Sequence, residues 1–109
     1  MRFFLFFIFL TPMIFIGCED DPQLSESFAQ CIGESDAIMY GTDWCSHCKN
    51  QKDEFGENFK YVNYVDCDRS SDVCKKEGIR SYPTWKINGA QYLGGQTPAR
   101  LATLTGCEL

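Results

Sequence analysis

The sequence is poor in positive charge. Its 109 residues hold ten Lys and Arg against 15 Asp and Glu, a formal net charge of -5, with a single histidine. A nucleic-acid binder needs a basic face to hold phosphates, and the acidity argues against that class. The chain is too short for a second domain, and no internal repeat or low-complexity tract occurs in it. Long apolar runs are also lacking. The longest, Phe3 to Ile16, has 14 residues and is interrupted by Thr11 and Pro12. As a helix it would extend roughly 21 Å, short of the ~30 Å hydrocarbon core of a bilayer. What the sequence holds in excess is sulfur. Seven cysteines in so short a chain point to disulfides, a metal or redox chemistry.

Met1-Arg2 followed by the apolar run reads as an export signal over residues 1–17, an address rather than a folded element. Phe15-Ile16-Gly17-Cys18 resembles a bacterial lipobox, in which a cysteine after a small residue is lipidated and becomes the new N-terminus. Phe15 stands where such motifs usually carry leucine. A simple cleaved signal and an uncleaved anchor are the alternatives. All three predict a domain outside the cytosol, periplasmic or on the extracytoplasmic face of the membrane, where disulfides persist. Residues 18–23, with Glu19, Asp20 and Asp21, then form an acidic tether, and 24–109 form the domain. Without residues 1–17 and their one Arg, 92 residues remain with a net charge of -6.

The domain alternates between helix and strand patterns. Asp21-Pro22 reads as an N-cap and first helical residue, with Leu24, Phe28, Cys31 and Ile32 on one face and Gly33 as the stop. Ala37 to Tyr40 is a short buried strand. Trp44 to Phe55 is helical, with Gly56 as its stop. Tyr61 to Val65 is a second strand, and Ser70-Ser71 caps a short helix through Lys76. Thr84–Ile87, Asn88-Gly89 and Ala90–Leu93 make a β-hairpin, because Asn-Gly tolerates the positive φ angles of a type I′ turn. Thr97-Pro98 opens a last helix that Gly106 closes. Strands separated by helices predict parallel pairing, with the hairpin as an antiparallel edge. The expected core holds Ile38, Val62, Val65, Ile87, Leu101 and Leu104. The five tyrosines are most simply core or strand residues.

Cys45-Ser46-His47-Cys48 falls where a strand hands over to a helix. A cysteine at a helix N-terminus meets the positive end of the dipole and unpaired N–H groups, which stabilise a thiolate. His47 adds a donor or cation beside it. Cys48, one turn deeper, can close a disulfide with Cys45 while being less accessible to partners. That makes Cys45 the attacking thiol and Cys48 the resolving one. A C-x-x-C pair alone also fits half of a zinc site. It does not fit a c-type haem site, since Lys49 follows Cys48 where histidine is required. A second signal is Ser81-Tyr82-Pro83-Thr84 directly before a strand. Proline there is at the strand's first edge, in a cis bond, or in an ordinary loop.

Taken together, Tyr40-Gly41-Thr42-Asp43-Trp44-Cys45-Ser46-His47-Cys48, Tyr82-Pro83-Thr84 and the Asn88-Gly89 hairpin resemble the thioredoxin superfamily, over about residues 24–107. The stretches Phe28–Cys31, Phe59–Val62 and Ser81–Trp85 are similar to thioredoxin-like domains associated with bacterial vitamin K epoxide reductase homologues. The resemblance implies an α/β thioredoxin-like fold: a mixed sheet of about four strands flanked by helices, ending in a hairpin and a helix. It implies that Pro83 is a cis-proline facing the redox pair and that the Tyr82 backbone, with Trp44 nearby, meets an extended substrate segment. Where thioredoxins carry a buried Asp six residues before the first cysteine, this chain has Met39. Ser46-His47 replaces Gly-Pro, and a histidine there resembles the oxidising and isomerising members.

The four remaining cysteines of the domain leave alternatives. Cys67 and Cys74 are favoured as a structural disulfide. Their rivals are an accessory redox pair and a four-cysteine zinc site with Cys45 and Cys48, although the second C-x2-C of common zinc ribbons is absent. Cys31 and Cys107 pair or remain as two buried thiols. A lipidated Cys18 plus three pairs accounts for all seven. The expected function is an exported, membrane-tethered thiol–disulfide oxidoreductase acting on protein thiols and disulfides without a cofactor. By resemblance its redox partner is a quinone-linked membrane oxidoreductase of the vitamin K epoxide reductase type. The alternatives are a copper or zinc delivery module built on Cys45, Cys48 and His47, and a structural domain whose motif does not cycle.

Overall fold

The computed structural model describes residues 23–109. The expected signal, Cys18 and the tether up to Pro22 lie outside the described residues. Four helices and four strands follow in the order α1 (Glu26–Glu34), β1 (Ile38–Gly41), α2 (Ser46–Phe55), β2 (Asn63–Asp66), α3 (Ser71–Lys76), β3 (Thr84–Ile87), β4 (Ala90–Leu93) and α4 (Pro98–Thr105). A 3₁₀ turn at Gly56–Tyr61 links α2 to β2.

The sheet order is β2-β1-β3-β4. Only β1 and β2 run parallel. β3 lies antiparallel to β1, with Met39 opposite Trp85, and β4 lies antiparallel to β3. The helix-separated β1 and β2 are parallel and the hairpin strands supply the antiparallel side of a mixed sheet, as expected; the direction of β3 against β1 is what the pattern left open. The chain from β2 passes through α3 and turns back before Pro83, so β3 enters in the opposite sense.

Element starts differ where side chains outcompete pattern. Ser25, not Asp21, caps α1: its Oγ accepts the Phe28 N–H at 3.1 Å. Gly33 lies inside α1 rather than ending it. A Cβ there would run into the Tyr61 carbonyl, so glycine lets the helix press against the 3₁₀ turn. Tyr61 sits in that turn rather than in β2. The hairpin and α4 form where the pattern put them, with Asn88 at φ 52°, Gly89 at 78° and the Thr97 cap bonding the Arg100 N–H at 3.1 Å.

Alternation along β1 splits the interior. Met39 packs on one face with Phe28, Phe55, Trp85, Ile87 and Leu101, while Tyr40 packs on the other with Cys67 and Cys74. Val62, Ile87 and Leu101 are buried as expected, but Ile38, Val65 and Leu104 are only half-buried.

A buried amide fixes α2 on the sheet. Gln51 Oε1 accepts from Trp85 Nε1 at 3.0 Å and from the Gln96 N–H at 2.7 Å. Its Nε2 donates to the Gln96 carbonyl and to Glu54 Oε2, both at 3.0 Å. Gln51→Met preserves the bulk but strands the buried Trp85 donor and the half-buried Gln96 N–H. The expected cost is about 2–4 kcal/mol, measured as the free energy of urea unfolding. A loss below about 0.5 kcal/mol would contradict that role.

Candidate redox site

Cys45 is the N-cap of α2, and its backbone is extended with φ -79° and ψ 117°. Its Sγ accepts the Cys48 backbone N–H at 3.3 Å. An N-cap normally offers oxygen to that donor; here sulfur takes the place. On the other side the thiol donates to the Tyr82 carbonyl at 3.5 Å. The Tyr82–Pro83 bond is cis, and Pro83 is buried. Residues 37 positions apart are thus brought into contact by the β1–β3 pairing.

Cys45 is 9% exposed and Cys48 is wholly buried, so the expected order of access holds. Both are unpaired thiols. Burial, first, and the neighbouring Cys45 push the Cys48 thiol up to about 11, opposed by the Thr42 backbone and by Lys52. Gly41 is the floor of the site. A Cβ on it would lie 2.7 Å from Cys48 Sγ and 3.4 Å from the Tyr64 ring, so β1 can approach the sulfur only through a residue without a side chain.

His47 is exposed on the first turn of α2. Trp44 is 71% exposed rather than packed away. Its ring meets Tyr82 edge-on at 6.0 Å, and its Nε1 donates to Asp68 Oδ2 at 2.8 Å. Nothing local in the sequence connects Asp68 to a tryptophan 24 positions away. The result is an apolar wall beside Cys45 whose ring is held in place.

Cys67 and Cys74 form a disulfide with Cα atoms 5.6 Å apart, and Cys31 and Cys107 form another with Cα atoms 5.8 Å apart. The Cys67–Cys74 bond is packed on the Tyr40 face of β1, whereas Cys45 and Cys48 are on the Met39 face. That removes the four-cysteine zinc arrangement: two of its sulfurs are bonded to each other, across the sheet from the other two. Among the described residues no cluster of three or more His, Cys, Asp or Glu side chains is placed to hold a metal.

The chain is similar to a thiol-disulfide oxidoreductase, LTO1, of Arabidopsis thaliana, 37% identical over 92 residues, which cover 76% of this chain and 24% of that protein. It is also similar to the protein disulfide isomerase-like 2-2 of Oryza sativa subsp. japonica, 31% identical over 117 residues covering 92% of this chain and 31% of that protein. The chain therefore spans about a quarter to a third of the length of these relatives. Among solved structures, thioredoxin NaTrxh from Nicotiana alata superposes with a TM-score of 0.50 at 17% identity, over 80% of this chain and 94% of that one, which speaks for the fold. The family model named Thioredoxin matches residues 23–103, a span that takes in the Cys45–Cys48 pair, the cis Pro83 and every strand of the sheet. A mixed four-stranded sheet with one cysteine of a Cys-x-x-Cys pair capping its second helix thus has its family: the chain belongs to the thioredoxin family.

Proposed function

We propose that this chain is an exported thiol–disulfide oxidoreductase domain that exchanges disulfides with protein substrates. The observation that carries the reading is Cys45 at the N-cap of α2, accepting the Cys48 N–H and facing the Tyr82 carbonyl. Backbone N–H groups aimed at a sulfur stabilise its anion, and the anion is the attacking species. In the reducing direction Cys45 thiolate attacks one sulfur of a substrate disulfide. A mixed disulfide forms, and the other substrate sulfur leaves as a thiolate. Cys48 then attacks Cys45 Sγ and releases the second substrate sulfur. The substrate gains two electrons and two protons, and the Cys45–Cys48 pair becomes a disulfide. The oxidising direction is the reverse, and neither needs a cofactor.

Exposed Trp44 and the half-buried Tyr82 line the approach to Cys45, and an extended peptide with a cysteine is the ligand that wall suits. Export to the extracytoplasmic face, with anchoring by the signal or by lipid on Cys18, is supported by the apolar run at Phe3–Ile16. It is supported also by two structural disulfides, which persist in oxidising compartments. Partnership with a quinone-linked membrane oxidoreductase of the vitamin K epoxide reductase type rests on the likeness at Phe28–Cys31, Phe59–Val62 and Ser81–Trp85. His47 beside Cys45 favours the oxidising or isomerising side.

The test is a titration of the purified protein in glutathione buffers, with the Cys45–Cys48 state read by alkylation and mass. The expected midpoint lies between about -270 and -120 mV, nearer the second. A pair locked below about -300 mV would mark a structural disulfide instead. Stoichiometric metal that disappears in Cys45→Ser would mark a metal carrier.

A further inference from the structure

Resolution of the mixed disulfide requires Cys48 to lose its proton, yet the sulfur is wholly buried. On its face of β1 the residues are Met39 and Gly41, and neither ionises. The groups around it are Cys45 at the cap of α2, Lys52 from α2, the Thr42 backbone and Tyr64 from β2, with Asp43 beyond them, paired with Lys52. Of those acting on Cys48, Lys52 is the one fixed cation.

Lys52 follows Cys48 by four positions on α2, so the two share a helix face. Its Nζ lies 3.9 Å from the centroid of the Tyr64 ring, 5.7 Å from that of Phe59, and 3.6 Å from Asp43 Oδ1. The same Tyr64 ring flanks Cys48, since a Cβ on Gly41 would touch both. Rings and carboxylate together hold a flexible ammonium beside the buried sulfur. The side chain is only 25% exposed, so water screens it incompletely.

We propose that Lys52 is a positioning cation for the resolving thiol: seated on Tyr64 and tied to Asp43, its ammonium stabilises the Cys48 thiolate as it forms and so speeds resolution. The inference rests on the exchange reading of the Cys45–Cys48 pair. In the step, the Cys48 proton ends on the departing thiolate, the Cys48–Cys45 bond forms, and the bond from Cys45 to the substrate sulfur breaks. Lys52 keeps its proton throughout. Tyr64 does not serve as the base: burial, then Asp66, Asp43, Cys48 and Asp68, push its phenol well above the usual tyrosine range, so it stays neutral.

The experiment uses the full chain and 5,5′-dithiobis(2-nitrobenzoate). Cys45 attacks the reagent and releases one thionitrobenzoate; Cys48 then attacks Cys45 and releases the second. Losing a nearby cation lowers the thiolate fraction, partly offset by greater nucleophilicity. Lys52→Met is therefore expected to slow the second release about three- to tenfold at pH 7 to 8, with the first release within about twofold of wild type. Lys52→Arg should restore the second phase, and the deficit should shrink as the pH rises, because more of the Cys48 thiol then ionises in the variant as well. Equal slowing of both phases, a second phase within twofold of wild type, or a deficit independent of pH would overturn the assignment. Lys52→Gln is read the same way if Lys52→Met does not fold. A wild-type protein that releases both equivalents but leaves protein disulfides untouched would sink the exchange reading and leave Lys52 standing.

Discussion

Cys45→Ser is expected to abolish reduction of insulin disulfides by dithiothreitol, a loss of at least about a hundredfold, while Cys48→Ala is expected to accumulate mixed disulfides with its substrates. The difference follows from geometry. Cys45 has an exposed edge, two hydrogen-bonding neighbours and a place at the end of α2; Cys48 has none of its surface in water. A serine at position 45 keeps the cap but cannot make the sulfur–sulfur bond. An alanine at 48 leaves the first attack intact and removes the second. Turbidity of the insulin B chain reads the first variant, and non-reducing electrophoresis of a mixture with a reducible protein reads the second. Full activity in Cys45→Ser would end the exchange account. So would a Cys48→Ala protein that never carries a substrate on Cys45.

The second large effect is on stability. Cys31 and Cys107 are 76 positions apart and join the end of α1 to the segment after α4. Closing so long a loop in the unfolded chain is worth about 4–5 kcal/mol on the loop-entropy view. Cys67 and Cys74 are seven apart, for which the same reasoning gives only about 2.5 kcal/mol. The paired substitution Cys31→Ala and Cys107→Ala is therefore expected to lower Tm by roughly 15–30 °C for a domain of this size, and more than the corresponding change at Cys67 and Cys74. Circular dichroism melts of both double variants, under oxidising conditions, measure it. The reverse order, or a fall of less than about 5 °C at Cys31–Cys107, would show that the long bond does not limit the unfolded state in this way. The Cys67–Cys74 variant carries its own signature. Asp68, which holds Trp44, lies inside that small loop, so substrate binding should weaken with little change in the chemistry of the pair.

Much of the site was legible because it is local. A C-x-x-C pair at a strand-to-helix junction dictates an N-cap sulfur and a buried mate one turn on, whatever surrounds them. The hairpin at Asn88-Gly89 and the start of α4 at Thr97-Pro98 were legible for the same reason, since the φ angles and the cap are properties of a few adjacent residues. Asp21-Pro22 was a weaker guide: its pattern suits a cap, but Ser25 makes the hydrogen bond. Gln51 could not be found from its neighbours in the chain, because a glutamine on a helix is ordinarily solvated and its partners come from Trp85 and Gln96. Lys52 was half visible. Its spacing from Cys48 is readable, but the ring and carboxylate that hold it there are not.

By itself, the sequence determined which sulfur keeps an exposed edge and which is buried, since helix geometry and the order of residues fix that within four positions. It determined the turn types and most element ends, which answer to nearest neighbours. Only the tertiary structure decided that β3 runs against β1, that two cysteine pairs are divided between opposite faces of the sheet, and that Trp44 stands in water with Asp68 holding its ring. Those outcomes depend on which distant segments exclude water from one another, and that competition is settled across the whole core rather than along the chain.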